Sequence, residues 1–380
     1  MKFKKPLLAS LFTFSLILAG CGNTETAKKV DEEKVNKDKD KLTVLTTIYP
    51  LEDFTKKIGG NYVDVKSIYP PNVDAHSFEP STKDMMALAD SDLFIYTGVG
   101  IEGFADKATE SLKNEDVTIL KAGEGIDLLK TTHVHDHEGE DGHNHDEDAH
   151  NHDDGEHSHD EDVHSHEEGE HNHNEDGLSH EESEHSHDEE STEEHNELAE
   201  DGHHHGDFDP HVWLDPILSI ELATNIKNSL IQLMPEHKSD FEANFEQLKG
   251  DLEQLDEEFK NTIENSKTKY LLVSHAAYGY WEERYGIEQI AIAGLSPTQE
   301  PTQKGLQSII EESKEHQIQY VIFEQNLSTK VAEIIQKEIG AESLILHNLE
   351  AITDENLKQN DDYFSIMQRN LETIKKALNN

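Results

Sequence analysis

Residues 131–206 hold twenty histidines and 29 Asp and Glu, no Lys or Arg, and only six residues of the hydrophobic set. A segment with so little to bury cannot offset the entropy of ordering its own backbone, so it is predicted to be disordered in isolation. Whatever folds must be read from its flanks. Outside it the chain carries 52 acids against 32 bases, a net of −20 in place of the −49 of the whole. That is an ordinary acidic protein with one extreme insert. The balance also excludes nucleic acid as a partner, because phosphate binding needs a basic face.

The first twenty residues stand apart as well. MKFKK carries three Lys, and PLLASLFTFSLILAG is apolar apart from Ser and Thr. A basic start before an apolar run this short reads as a signal peptide (1–20) and not as a membrane span. It ends Leu18-Ala19-Gly20-Cys21, which resembles a bacterial lipobox. The resemblance implies cleavage before Cys21 and diacylglycerol on its sulfur. The protein is then held to the lipid bilayer at the extracytoplasmic face of the cell membrane. Cys21 is the only cysteine, which excludes an intramolecular disulfide, a thiolate zinc cluster and CxxC redox chemistry. Residues 21–40 are polar, with mixed charges, and read as a lipidated flexible tether.

From Lys41 onward, short β-rich runs alternate with helical stretches. The strands expected are Leu42–Ile48, Val63–Ile68, Leu93–Thr97 and Val117–Leu120, with helices over 50–58, 81–90 and 102–113. After residue 268 the same alternation returns. Strands Tyr270–Ser274, Gln289–Ala293, Tyr320–Phe323 and Ser343–Leu346 are separated by helices near 277–285, 302–315, 328–339 and 361–378. Such alternation predicts α/β lobes, each with a four-stranded parallel sheet. Between them Phe241, Phe245, Leu248, Leu252, Leu255, Phe259 and Ile263 form one stripe at steps of three and four. This predicts a long helix over 240–266. Three Phe on the stripe suit packing against two lobes better than a dimeric coiled coil, so the helix is expected to be a strut in a monomer. The N-terminal lobe then covers 41–239, with the insert at 131–206, and the C-terminal lobe 267–380.

Within the insert, HxH pairs repeat every seven residues: His143 and His145, His150 and His152, His157 and His159, His164 and His166, His171 and His173. No apolar positions accompany the period, so a coiled coil has nothing to bury. In an extended chain, residues two apart point the same way, and each pair can offer two imidazoles to one ion. Sites on a floppy chain are individually weak, so the repeat reads as a metal-collecting loop. No HExxH, GxSxG or phosphate-binding glycine loop stands in a convincing context for catalysis.

Six histidines lie elsewhere: His76, His211, His237, His275, His316 and His347. His237 and His316 sit among Glu and Lys and read as solvated. His76 in PPNVDAHSFEPS follows a strand, His275 in SHAAYGY ends one, and His211 in FDPHVWLDP opens a helix after the insert. Ligands of parallel sheets bind beyond the carboxyl ends of the strands. Three such histidines in a chain with a metal-collecting loop are therefore candidate metal ligands. Asp74, Asp209 and Asp215 are expected either to orient imidazoles or to cap loops and helices. Trp213 and Trp281 read as core.

DAHSFEPS, DPHVWLDP, VSHAAYGY and LHNLEAIT, in that order, resemble the motifs of zinc-uptake solute-binding lipoproteins of bacterial ABC importers, the ZnuA/AdcA type. The similarity covers about 41–127 and 207–380. It implies two (β/α)4 lobes joined by a long rigid helix, with Zn2+ between them. It assigns His76 and His211 from the first lobe, His275 from the second, and Glu350 as fourth ligand. Many relatives have Pro where this chain has Ala75. The partner implied is the importer's membrane permease, and no catalysis is implied. Manganese-binding cousins carry Glu at the position of His275 and Asp at the fourth. Three imidazoles and a carboxylate suit Zn2+, while more carboxylate suits Mn2+. The alternatives are a manganese or other divalent-metal binder of the same fold, a zinc-dependent surface adhesin, or a zinc hydrolase with an open coordination position.

Overall fold

The computed structural model describes residues 41–130, 208–325 and 330–379. The expected signal peptide, Cys21, the tether and the histidine repeat lie outside the described residues.

The first lobe runs β1 (Leu42–Thr46), α1 (Tyr49–Gly59), β2 (Val63–Ser67), α2 (Thr82–Ala89), β3 (Leu93–Tyr96), α3 (Ala105–Ser111) and β4 (Thr118–Lys121). α4 (Pro216–Leu233) and α5 (Lys238–Glu264) follow, then β5 (Tyr270–His275), α6 (Gly279–Tyr285), β6 (Glu288–Ala293), α7 (Gln303–Glu315), β7 (Tyr320–Glu324), α8 (Lys330–Ile339), β8 (Glu342–Leu346), α9 (Asp354–Gln359) and α10 (Tyr363–Ala377). The sheets are parallel throughout, ordered β2-β1-β3-β4 and β6-β5-β7-β8. Both halves repeat one topology. In each, the order reverses beside the first strand of the lobe, opening a crevice at the strand ends where ligands of such sheets are held.

Each expected strand is present, with ends shifted by one or two residues. Differences elsewhere have local causes. α3 is shorter than 102–113 because Glu102 faces inward and accepts from Thr47 Oγ1 at 2.7 Å and from Thr97 N at 2.7 Å. α9 has no counterpart among the expected helices. At six residues it is too short to show a period, and its signal is a capping box between Thr353 and Asn356. His237 and His316 are not simply solvated: each is half-buried and stacked on a tyrosine ring, Tyr62 at 3.6 Å and Tyr270 at 3.5 Å.

All seven stripe residues of α5 are buried. The helix, about 40 Å long at 1.5 Å per residue, packs on α1 and α4 and on α6 and α10. It therefore touches both lobes, and removing Phe259 from the stripe should cost about 3–5 kcal/mol. One buried apolar cluster includes Val44 and Phe94 of the first sheet, the α5 stripe, and Leu271 and Leu346 of the second. Leu272, one residue on, faces a separate cluster with Val321 and Ile335, as strand alternation requires. Trp213 and Trp281 are both fully buried. They also bind across the lobes: Trp213 Nε1 donates to Asn348 O at 2.8 Å, Trp281 Nε1 to Leu214 O at 2.7 Å. Tyr363 Oη donates to Trp213 O at 2.8 Å.

Where the insert leaves and rejoins, Lys130 and Phe208 form an antiparallel bridge, and Asp209 N donates to Leu129 O at 2.8 Å. Among the described residues no helix is long and apolar enough to cross a membrane.

Candidate metal centre

His76 lies in the loop between β2 and α2. Asp74 folds that loop, accepting from His76 N at 3.0 Å and from Ser77 Oγ at 2.7 Å. Phe78 then packs on Tyr69 and Phe104 and pins the loop to the lobe. His211 caps a 3-10 turn, Val212–Leu214, ahead of α4. Asp209 Oδ1 accepts from both His211 N at 2.9 Å and Nδ1 at 2.8 Å. This fixes the tautomer with the proton on Nδ1 and leaves Nε2 as a donor for a metal.

His275 is the last residue of β5, and Glu324 is the last residue of the neighbouring β7. The His275 Nδ1 meets Glu324 Oε1, which also accepts from Ser274 Oγ at 3.0 Å. Glu350 sits in the loop after β8, following Leu349, whose φ is +60°. First-lobe backbone holds it: Tyr49 N donates to Glu350 O at 3.0 Å, and Ala75 N to Glu350 Oε2 at 3.3 Å. A proline at position 75 has no N–H and could not make the second bond.

These four side chains converge. One donor atom from each of His76, His211, His275 and Glu350 lies within 4.8 Å of every other. His76 Nε2 is 3.2 Å from Glu350 Oε1, His211 Nε2 is 3.4 Å from His275 Nε2, and His211 Nε2 is 4.0 Å from Glu350 Oε1. A tetrahedral zinc site with bonds of about 2.0–2.1 Å has edges of about 3.3–3.4 Å. The cluster is thus close to the size such an ion needs, and it uses two side chains from each lobe. The side chains are 2 % exposed for His76 and Glu350 and 0 % for His211 and His275.

Electrostatics favour a cation. Burial alone would raise the Glu350 carboxyl, but His76, His275 and His211 override it and hold its pKa at about 2. Burial pushes the His211 imidazole down, and the Asp209 carboxylate offsets that only in part, so its pKa lies below the ordinary value. Burial pushes His275 down too, but Glu324, with Glu350 and Asp209 behind it, wins and raises it. The carboxylates of Asp209 and Glu324 back two of the imidazoles and balance a positive charge on the opposite side of those rings.

Of the three aspartates, only Asp209 orients an imidazole. Asp74 folds its loop, and Asp215 caps α4, accepting from Ile217 N and Leu218 N, while pairing with Arg284. Sequence reasoning missed Glu324; its signal was an acid closing the apolar run YVIF, beside the strand that ends in His275. His347 is not part of the cluster. It is buried, with Nε2 on Asn356 Oδ1 at 2.9 Å and Nδ1 accepting from Leu349 N at 3.0 Å. Burial lowers its pKa to about 4, so it is a neutral strut for the Glu350 loop. The ten histidines expected to collect metal lie outside the described residues: His143, His145, His150, His152, His157, His159, His164, His166, His171 and His173. So does Cys21.

A family model described as the periplasmic zinc-uptake complex component A, ZnuA, matches residues 44–377. The zinc-binding protein AdcA of Streptococcus pyogenes serotype M3 is 35% identical over 335 residues, 88% of this chain and 56% of that protein. The chain thus spans little more than half the length of that relative. The high-affinity zinc uptake system protein ZnuA of Bacillus subtilis is 31% identical over 364 residues, covering 96% of this chain and 94% of that one. The crystal structure of zinc-bound AdcA from Streptococcus pneumoniae superposes with a TM-score of 0.63 at 27% identity, over 90% of this chain and 58% of that one. With the family model spanning most of its length, on a fold of two like α/β lobes that enclose a three-histidine, one-glutamate cluster, this chain belongs to the ZnuA family of zinc-uptake components.

Proposed function

We propose that this protein captures Zn2+ outside the cytoplasmic membrane and hands it to the permease of an ABC importer, with His76, His211, His275 and Glu350 as ligands. The observation that carries the reading is the convergence of these four buried donors, two from each lobe, within 4.8 Å of one another. Three imidazoles and one carboxylate match zinc, whereas harder Mn2+ is better served by more oxygen. Catalysis is disfavoured, because a metal hydrolase keeps an open position and a base beside it. Here four donors surround one point, and the far nitrogens of His211 and His275 are committed to Asp209 and Glu324.

In the same reading Cys21 carries the acyl chains that keep the protein at the membrane, at about 0.8 kcal/mol per buried methylene. The HxH repeat gathers zinc weakly near the tight site, raising its local concentration. The chain works as a monomer.

The test is competition against a zinc chelator, with and without residues 131–206. His76→Ala, His211→Ala and His275→Ala should each weaken the tight site by at least about a hundredfold, more than loss of an outer partner does. Glu350→Ala should cost less, since water can take the place of the carboxylate. Full affinity in His211→Ala lacking the insert would sink the assignment.

A further inference from the structure

Asn348 has no place in the ligand set, yet its bonds reach toward three of the four ligands. It lies two residues beyond β8 and is 4 % exposed. Its Nδ2 donates to Glu324 Oε2 at 2.7 Å, while Glu324 Oε1 faces His275 Nδ1. Its Oδ1 accepts from Glu350 N at 3.2 Å and from Gln325 Nε2 at 3.1 Å. Its backbone carbonyl accepts from Trp213 Nε1, whose ring stands 5.4 Å from that of His211. The orientation of the amide is forced: a carboxylate on one side can only accept, and a backbone N–H on the other can only donate. An aliphatic residue would leave both buried neighbours unsatisfied, and an acid would set two carboxylates against each other.

We propose that Asn348 is a positioning residue for metal capture, fixing His275 and Glu350 relative to each other and clasping both to the lobe that carries His211. It acts at both ends of its amide. By capping the second oxygen of Glu324 it stops that carboxylate from rotating away from the His275 ring. By accepting from Glu350 N it sets the start of the residue whose side chain reaches the cluster. The trapped carboxylate and the loop then move as one unit. This rests on His275 and Glu350 being ligands.

The experiment is a zinc-chelator competition on the full chain, run beside the thermal midpoint of the metal-free protein. Asn348→Asp keeps the acceptor and loses the donor, and Glu324→Gln does the reverse at the other end of the same bond. Each should weaken zinc binding by about tenfold to a hundredfold, the range for outer partners of metal ligands. The double variant Glu324→Gln with Asn348→Asp exchanges donor and acceptor while conserving charge. It should bind zinc more tightly than either single variant. A role in folding alone predicts midpoints that recover without such a return of affinity.

Wild-type affinity in Asn348→Asp overturns the proposal, as does a double variant as weak as the two losses combined. Where Asn348→Asp alone does not fold, the double must restore both folding and affinity. A double that folds but binds no better than Glu324→Gln also overturns it. Glu350→Ala and His275→Ala run alongside. If neither weakens binding, the ligand assignment has failed; if both do while Asn348→Asp does not, only the clasp has failed.

Discussion

Gly279, at the start of α6, is not itself one of the proposed ligands, yet a single methyl there should damage the candidate metal centre. A Cβ on Gly279 would lie 2.5 Å from Asp209 Oδ2, about 1 Å short of ordinary contact. The carboxylate cannot simply swing aside. Its other oxygen holds His211 N at 2.9 Å and Nδ1 at 2.8 Å. The Asp209 backbone is pinned at both ends, by Leu129 O at 2.8 Å and by Tyr280 Oη at 2.7 Å. The strain of Gly279→Ala must therefore pass to the His211 ring. Losing an outer partner of a metal-bound imidazole costs about tenfold to a hundredfold in affinity, or about 1.4–2.7 kcal/mol. Stability should fall as well, by about 1–3 kcal/mol, the usual range for overpacking a buried contact. The assay is zinc-chelator competition on Gly279→Ala, Asp209→Ala and the double variant. In the Asp209→Ala background the methyl has nothing to strike and should be nearly silent. Unchanged affinity in Gly279→Ala, or an equal further loss on top of Asp209→Ala, refutes the reasoning.

Exchanging His275→Glu and Glu350→Asp should move preference toward Mn2+, measured as a ratio of dissociation constants. Glu324 faces position 275, so the exchange needs Glu324→Gln as well, and no change in the ratio would end the third-ligand argument. On pH, the raised His275 contributes stability to the metal-free protein that is complete below about 6.5 and lost as pH climbs through the raised value. Zinc must displace that proton, so affinity should fall on acidification from above about 6.5; thermal midpoints of wild type and His275→Gln whose difference ignores pH would contradict this. Glu350 has the opposite sign: its contribution is present above about 4.3 and fades as pH falls toward about 2. Deleting residues 131–206 should leave the tight dissociation constant nearly unchanged while total zinc stoichiometry by calorimetry drops. Abolition of the tight site would make the repeat part of the coordination sphere.

Much of this architecture is legible in the chain because parallel strands buried on both faces read as continuous apolar runs, as in Leu93–Tyr96, which is buried throughout. The α5 stripe is equally plain, since one periodic face suffices to lock a helix between two lobes. His76, His211 and His275 stand out because each follows a strand or opens a turn. What could not be read were roles set by a neighbour distant in sequence. Glu324 and His275 are 49 positions apart and meet only because β5 and β7 are adjacent. Asp209 and Asp215 look alike in FDPHVWLDP, yet one holds an imidazole and the other caps a helix, because only one faces the cluster. The tryptophans read correctly as core, but their indole N–H bonds across the lobe boundary left no trace in local sequence.

The Lys130–Phe208 bridge makes the molecule a natural host for grafts. Because the two ends of the intervening segment are already held together by the fold, lengthening that segment adds only closure entropy, about 0.6 kcal/mol for each doubling. The junction also adjoins Asp209, the partner of His211, on one side, and on the other it is bonded to Tyr280 through Leu129 N. A fluorescent reporter spliced between residues 130 and 208 should leave the fold intact and emit from beside the metal centre, which makes this position a ready port for a zinc sensor.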